Sequence, residues 1–156
     1  MIETTPTTAP VAERFRTPRQ RAVVGLFRTA DMLRRSFARV FEPWDLTSQQ
    51  YNVLRILRGA RPDSLPTMEI AERMMEQTPG ITRLLDRLYE KGLVHRERCV
   101  EDRRQVLCSI TAEGLRLLEA LDEPVDRADE AAFAMLTDAE VAQLTRLLDR
   151  VRGDVG

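Results

Sequence analysis

Four arginines carry the most specific chemistry in this sequence. Arg83 and Arg87 stand four residues apart in a stretch of helical periodicity, so they point the same way. Arg103 and Arg104 follow Asp102 in the charged run Val100-Glu101-Asp102-Arg103-Arg104. A guanidinium offers planar, paired N–H donors to phosphates and guanine edges, where a lysine ammonium is closer to a point charge. Two adjacent arginines at a loop tip are costly to hold together without an anion to meet, and Asp102 beside them could orient one guanidinium. Thr82 suits a thymine methyl or a phosphate. Thr78 and Gly80 stand where the helix opens; Gly80 lets the backbone approach closely, and a helix N-terminus favours phosphate. The competing reading is a solvated face on which Arg83, Asp86, Arg87 and Glu90 form ion pairs along the helix. The arginine tip tilts the balance toward an external anion.

Other chemistry is sparse. Cys99 and Cys108 are the only cysteines, and both fall in a predicted β-hairpin. If Val94 faces Ile110, Cys108 faces Arg96, so the two thiols are out of register and no intrachain disulfide is expected. Reduced bystander thiols are the plain reading, and a redox-active thiol near arginine is the alternative. His95 is the only histidine, and the strand positions do not converge as a zinc site requires. The sequence holds no Ser/His/Asp arrangement and no phosphate loop, so neither catalytic nor metal residues are expected.

The elements that must position the arginines are legible from caps and stops. Residues 1–16 read as a flexible tail. Thr17-Pro18-Arg19-Gln20 opens a long first helix with a capping box, and Pro43 ends it. Thr47-Ser48-Gln49-Gln50 opens a second, with Leu46 and Tyr51 as a hydrophobic staple. Ser64-Leu65-Pro66 is a candidate short strand, and Thr67 is expected to cap a short third helix. Ile81, Leu84, Leu85 and Leu88 give the fourth helix one buried face, and Lys91-Gly92 stops it. Leu93–Cys99 and Gln105–Ile110 form the hairpin, with the charged run at its tip. Thr111 caps a fifth helix expected to run up to Pro124. Thr137-Asp138-Ala139-Glu140 opens the last, with Leu136 and Val141 as its staple.

Charge supports the same partition. The net charge of the 156 residues is −1, which argues against a nucleic-acid binder only until it is resolved along the chain. Residues 14–39 carry +7 and residues 111–156 carry −6, so the total describes no one surface. The basic residues are 23 arginines and one lysine, a bias that genome base composition produces equally well. No apolar run approaches a membrane span, and the first ten residues lack a basic-then-apolar signal, so a cytoplasmic protein is expected.

Two short helices followed by a β-hairpin is the order of a winged helix-turn-helix, in which the second short helix enters the major groove. Gly92-Leu93-Val94-His95-Arg96-Glu97-Arg98, Asp102-Arg103-Arg104 and Leu107 to Gly114 resemble the wing signature of the MarR family of transcriptional regulators. Leu46 to Leu54 resembles that family's second helix, and Thr82 to Leu88 its recognition helix. The match runs without gaps over roughly 46–114.

The resemblance implies a mainly α fold with a winged helix-turn-helix lobe over 46–110. Dimerisation helices flank it at 17–45 and 111–156. It implies a homodimer on double-stranded DNA with a pseudo-palindromic operator, usually repressing. Arg104 would enter the minor groove, with Asp102 as its orienting partner, and the recognition contacts would fall between Thr78 and Arg87. It further implies a small-molecule effector, often an aromatic acid or phenol, for which Phe41, Trp44 and Tyr51 are candidate ligand-binding residues. A winged-helix protein-interaction module without DNA, and a thiol-based redox-sensing regulator, are the alternatives.

Overall fold

The structure is a computed structural model that describes residues 15–75, 79–100 and 102–154. The expected tail lies almost wholly outside the described residues. By its contacts the chain divides into two units, residues 1–35 and 36–156.

The first unit holds most of α1 (Pro18–Phe41). Thr17 opens it, its hydroxyl accepting from Gln20 N at 3.1 Å. The return bond of the expected capping box is displaced by one residue: Gln20 Oε1 accepts from the backbone of Arg16, at 2.8 Å, rather than of Thr17. The long glutamine side chain reaches past the cap. Val23, Leu26, Phe27 and Met32 along this helix are exposed.

In the second unit a 3-10 turn, Glu42–Trp44, follows α1, and then come α2 (Ser48–Ala60), β1 (Leu65–Pro66), α3 (Thr67–Arg73) and α4 (Ile81–Glu90). The strands β2 (Val94–Arg98) and β3 (Val106–Ile110) precede α5 (Ala112–Phe133) and α6 (Asp138–Arg152). The three strands make an antiparallel sheet in the order β1-β3-β2. Val94 pairs with Ile110 and Arg96 with Cys108, the register expected from the alternation.

The core takes one face each from α2, α3, α4 and α5. Tyr51, Val53, Leu54 and Leu57 come from α2, Ile70 from α3, and Leu84, Leu85 and Leu88 from α4. Val94, Cys108 and Ile110 close it from the sheet, and Leu118, Leu121 and Val125 from α5. The capping box at Thr47 forms in full, with Gln50 N donating to Thr47 Oγ1 at 3.1 Å and Thr47 N to Gln50 Oε1 at 3.0 Å. Leu46 and Tyr51 beside it are both buried.

Two further sequence expectations fail here. Thr67 does not cap α3; it is the first helical residue, and its hydroxyl donates to Val106 O at 3.2 Å. Pairing of β1 with β3 brings that carbonyl within reach, and Pro66 occupies the cap position. Nor does α5 stop at Pro124, for it continues to Phe133 with the proline inside. A helix-internal proline forfeits one backbone bond, at a cost of about 3 kcal/mol. Leu121 and Val125 on either side of it are buried, and that anchoring holds the helix through.

The base of the hairpin is locked by Thr111. Its hydroxyl accepts from Gly114 N at 3.0 Å, capping α5, and donates to Gly92 O at 2.7 Å. Gly114 must be small, because a Cβ there would lie 2.4 Å from Leu93 O and 2.7 Å from Ile110 Cγ1.

Candidate nucleic-acid interface

The polar face of α4 is turned outward. Thr82, Arg83 and Arg87 are exposed, and the helix is anchored beneath them by Leu84, Leu85 and Leu88. Gly80 is its N-cap, in the left-handed region at φ 87, with no side-chain cap. Glycine reaches that conformation without the Cβ penalty. The amide groups of the first turn therefore have no side-chain acceptor from the cap, and such amides suit a phosphate. Thr78 lies outside the described residues. The turn's approach is held from below: buried Asn52 accepts from Met75 N at 3.0 Å.

Among the described residues no ion pair runs along α4. Asp86 instead pairs with Arg96 of β2. The ion pairs of the competing reading do not form among the described residues, and Arg83 and Arg87 have no carboxylate partner among them.

At the hairpin tip Arg103 and Arg104 are exposed. Asp102 does not hold a guanidinium here. Its carboxylate accepts from the backbone N–H of Arg104 at 3.0 Å and from Gln105 Nε2 at 3.2 Å. A short side chain two residues back reaches a backbone amide more readily than a long, mobile guanidinium. Gln105 N donates to Asp102 O at 2.9 Å and Cys99 N to Gln105 O at 3.0 Å. Asp102 therefore orders the turn that carries both arginines.

The three aromatic candidates separate. Phe41 and Tyr51 are buried and stacked, with ring centroids 4.4 Å apart, and Phe41 also stacks on Phe37. Trp44 is exposed. None of the three lines the nearby cleft of about 900 Å³, whose walls include Arg39, Glu42, Asp45, Arg87, Glu90 and Lys91. Lys91 Nζ bonds the Asp45 carboxylate at 2.6 Å and also its carbonyl. Asp45 itself is left-handed, at φ 52.

Cys108 is fully buried, and burial pushes its thiol pKa up, outweighing the lowering by Arg96. Cys99 is half-buried, and both thiols are free. His95 is exposed, and no cluster of three metal-ligating side chains exists among the described residues.

Sequence reasoning missed Arg96 as a site residue. The signal was present: alternation from buried Val94 puts Arg96 on the core-facing side of β2, where a charge needs a partner.

Helices α2, α3 and α4 followed by a β-hairpin define a winged helix-turn-helix, a class that binds DNA through its second short helix and its wing. Comparisons with known proteins narrow the class. The MarR family model matches residues 46–106. The HTH-type transcriptional regulator FarR of Neisseria gonorrhoeae is 30% identical over 125 residues, covering 80% of this chain and 84% of the relative. The homoprotocatechuate degradative operon repressor of Escherichia coli is 31% identical over 113 residues, covering 72% and 75%. Among solved structures, a MarR transcription factor from Planctomyces limnophilus matches with a TM-score of 0.69 and 40% identity, over 87% of this chain and 98% of that one. A mutant MarR from E. coli complexed with operator DNA matches with a TM-score of 0.74 and 29% identity, over 81% and 89%. The chain belongs to the MarR family, whose members are transcription regulators and not enzymes. Among the described residues no helix is long and apolar enough to cross a membrane.

Proposed function

We propose that this protein is a cytoplasmic, homodimeric repressor that binds a pseudo-palindromic operator with α4 in the major groove and the hairpin tip along the minor groove. One observation carries the reading. Arg83, Arg87, Arg103 and Arg104 are exposed and without a carboxylate partner among the described residues, on the helix and hairpin tip this class turns to DNA. Thr82 and the open amides at Gly80 add phosphate contacts, as Thr78 does in the sequence reading. Asp102 orders the wing turn beneath Arg104.

Dimerisation is supported by surface that one chain leaves uncovered. No residue of α6 is buried, although Leu144, Leu147, Leu148 and Val151 line one stripe. Along α1, Val23, Leu26, Phe27 and Met32 are exposed, a pattern a soluble monomer does not repeat over two helices. Two-fold symmetry then sets the recognition helices about 34–36 Å apart.

Release by a small aromatic ligand fits the cleft beside α4. Lys91 is paired with Asp45 there, which leaves Arg39 and Arg87 as the guanidinium groups that could meet an anionic ligand, and Arg87 belongs to both the cleft and the proposed DNA face. A ligand held there shifts the population away from the DNA-bound arrangement. None of the aromatic trio lines this cleft: Phe41 and Tyr51 serve as packing, and Trp44 is exposed outside it.

Selection of duplexes from a random pool by the purified protein tests the reading. A two-fold symmetric consensus with half-sites one turn apart is expected. Arg104→Ala should then weaken binding to that duplex and lower the salt slope by about one. Failure to enrich any sequence, or unchanged affinity of Arg104→Ala across a salt titration, overturns it.

A further inference from the structure

Arg96 stands on the wrong side of the sheet for an ordinary surface charge. It lies on β2 two residues from buried Val94 and directly across from fully buried Cys108. Its side chain is only 22% exposed, and its Nε is buried with no hydrogen-bond partner. A charge in that position is costly unless paired. The pair it makes is with Asp86, on the outward face of α4.

That partner has an alternative. Asp86 follows Arg83 by three residues, so the two side chains are neighbours on the helix surface. In an isolated helix the carboxylate would neutralise Arg83 and present a negative charge to an approaching phosphate. In the folded protein the carboxylate is taken by β2, and Arg83 is left unpaired among the described residues.

We propose that Arg96 is a positioning residue for DNA binding: by sequestering the Asp86 carboxylate it keeps Arg83 free and the face of α4 net positive. This rests on the DNA-binding reading above.

The experiment uses the full-length protein and the duplex selected by the wild type. Arg96→Met keeps the aliphatic stem but frees Asp86. It should bind about tenfold more weakly, with a salt slope shallower by about one, because the freed carboxylate cancels one phosphate contact. Asp86→Asn alone should bind within about threefold of the wild type, since it removes the charge that Arg96 exists to hold. Adding Asp86→Asn to Arg96→Met should restore both affinity and slope.

A double variant as weak as Arg96→Met overturns the proposal, because Arg96 would then act by touching DNA or by bracing the wing. If Arg96→Met does not fold, Asp86→Asn still decides: a loss beyond about fivefold makes the pair a brace and not a charge lock. A wild type that selects no duplex defeats the DNA-binding reading instead, so the two failures are distinct.

Discussion

Helices α2 and α4 share one core and treat their outer faces in opposite ways. Each buries an apolar stripe, Tyr51, Leu54 and Leu57 on α2 against Leu84, Leu85 and Leu88 on α4. Several polar groups of α2 and its cap are used within the protein. Thr47 and Gln50 cap each other, Asn52 holds the backbone at Met75, and Arg58 binds both oxygens of Asp122 on α5 at 3.0 Å. Arg55 lies 6.0 Å over the Tyr51 ring. On α4 the N-terminus is left without a side-chain cap, and Thr82, Arg83 and Arg87 face outward. Its one side-chain ion pair among the described residues, Asp86 to Arg96, removes a negative charge from that face. Two helices of similar amphipathic pattern thus differ in whether the protein satisfies their polar groups itself. The unsatisfied one is the one prepared for a partner.

Four substitutions sharpen or break this contrast. The largest effect belongs to what the helices share. Leu57→Ala and Leu85→Ala, at positions with about 1% and 0% exposure, should each cost roughly 2–5 kcal/mol in urea denaturation. A loss below about 1 kcal/mol for Leu85→Ala would mean that α4 is not anchored as α2 is. Next comes the outer face. Arg83→Ala should leave stability within about 0.5 kcal/mol yet weaken duplex binding by about 1–3 kcal/mol, read by a titration at fixed salt. Equal losses in folding and binding would place Arg83 among the internally used polar groups. The smallest effect is the cap. Thr47→Ala should lower stability by about 1 kcal/mol with no direct effect on DNA affinity. Were DNA affinity to fall more than stability predicts, α2 would itself be a contact element.

Much of the fold was legible because its signals are local. The Thr47 and Thr137 capping boxes, the stop at Lys91-Gly92 and the apolar stripe of α4 depend on neighbours within one helical turn, and each forms as read. The hairpin register followed from alternation alone, placing Val94 opposite Ile110. In two places where reading failed, tertiary packing had intervened. Thr67 was drawn from its capping role by Val106, and Pro124 was carried through by packing on both sides. Asp102 was expected at a guanidinium and instead orders the turn backbone, where the nearest amide wins over a long side chain. The four candidate arginines could be named from spacing, whereas for Arg96 alternation gave only a core-facing position and not its partner, Asp86, ten residues away on another element.

The sequence by itself therefore determined the elements, their order, the hairpin register and the family resemblance, because caps, stops and hydrophobic period act over a few residues. Only the tertiary structure decided which charges remain available. A guanidinium on an outward face is free or neutralised according to what the next element brings within reach. Here β2 carries Arg96 to Asp86 and leaves Arg83 open. That outcome depends on how a strand packs on a helix, and no local pattern encodes it.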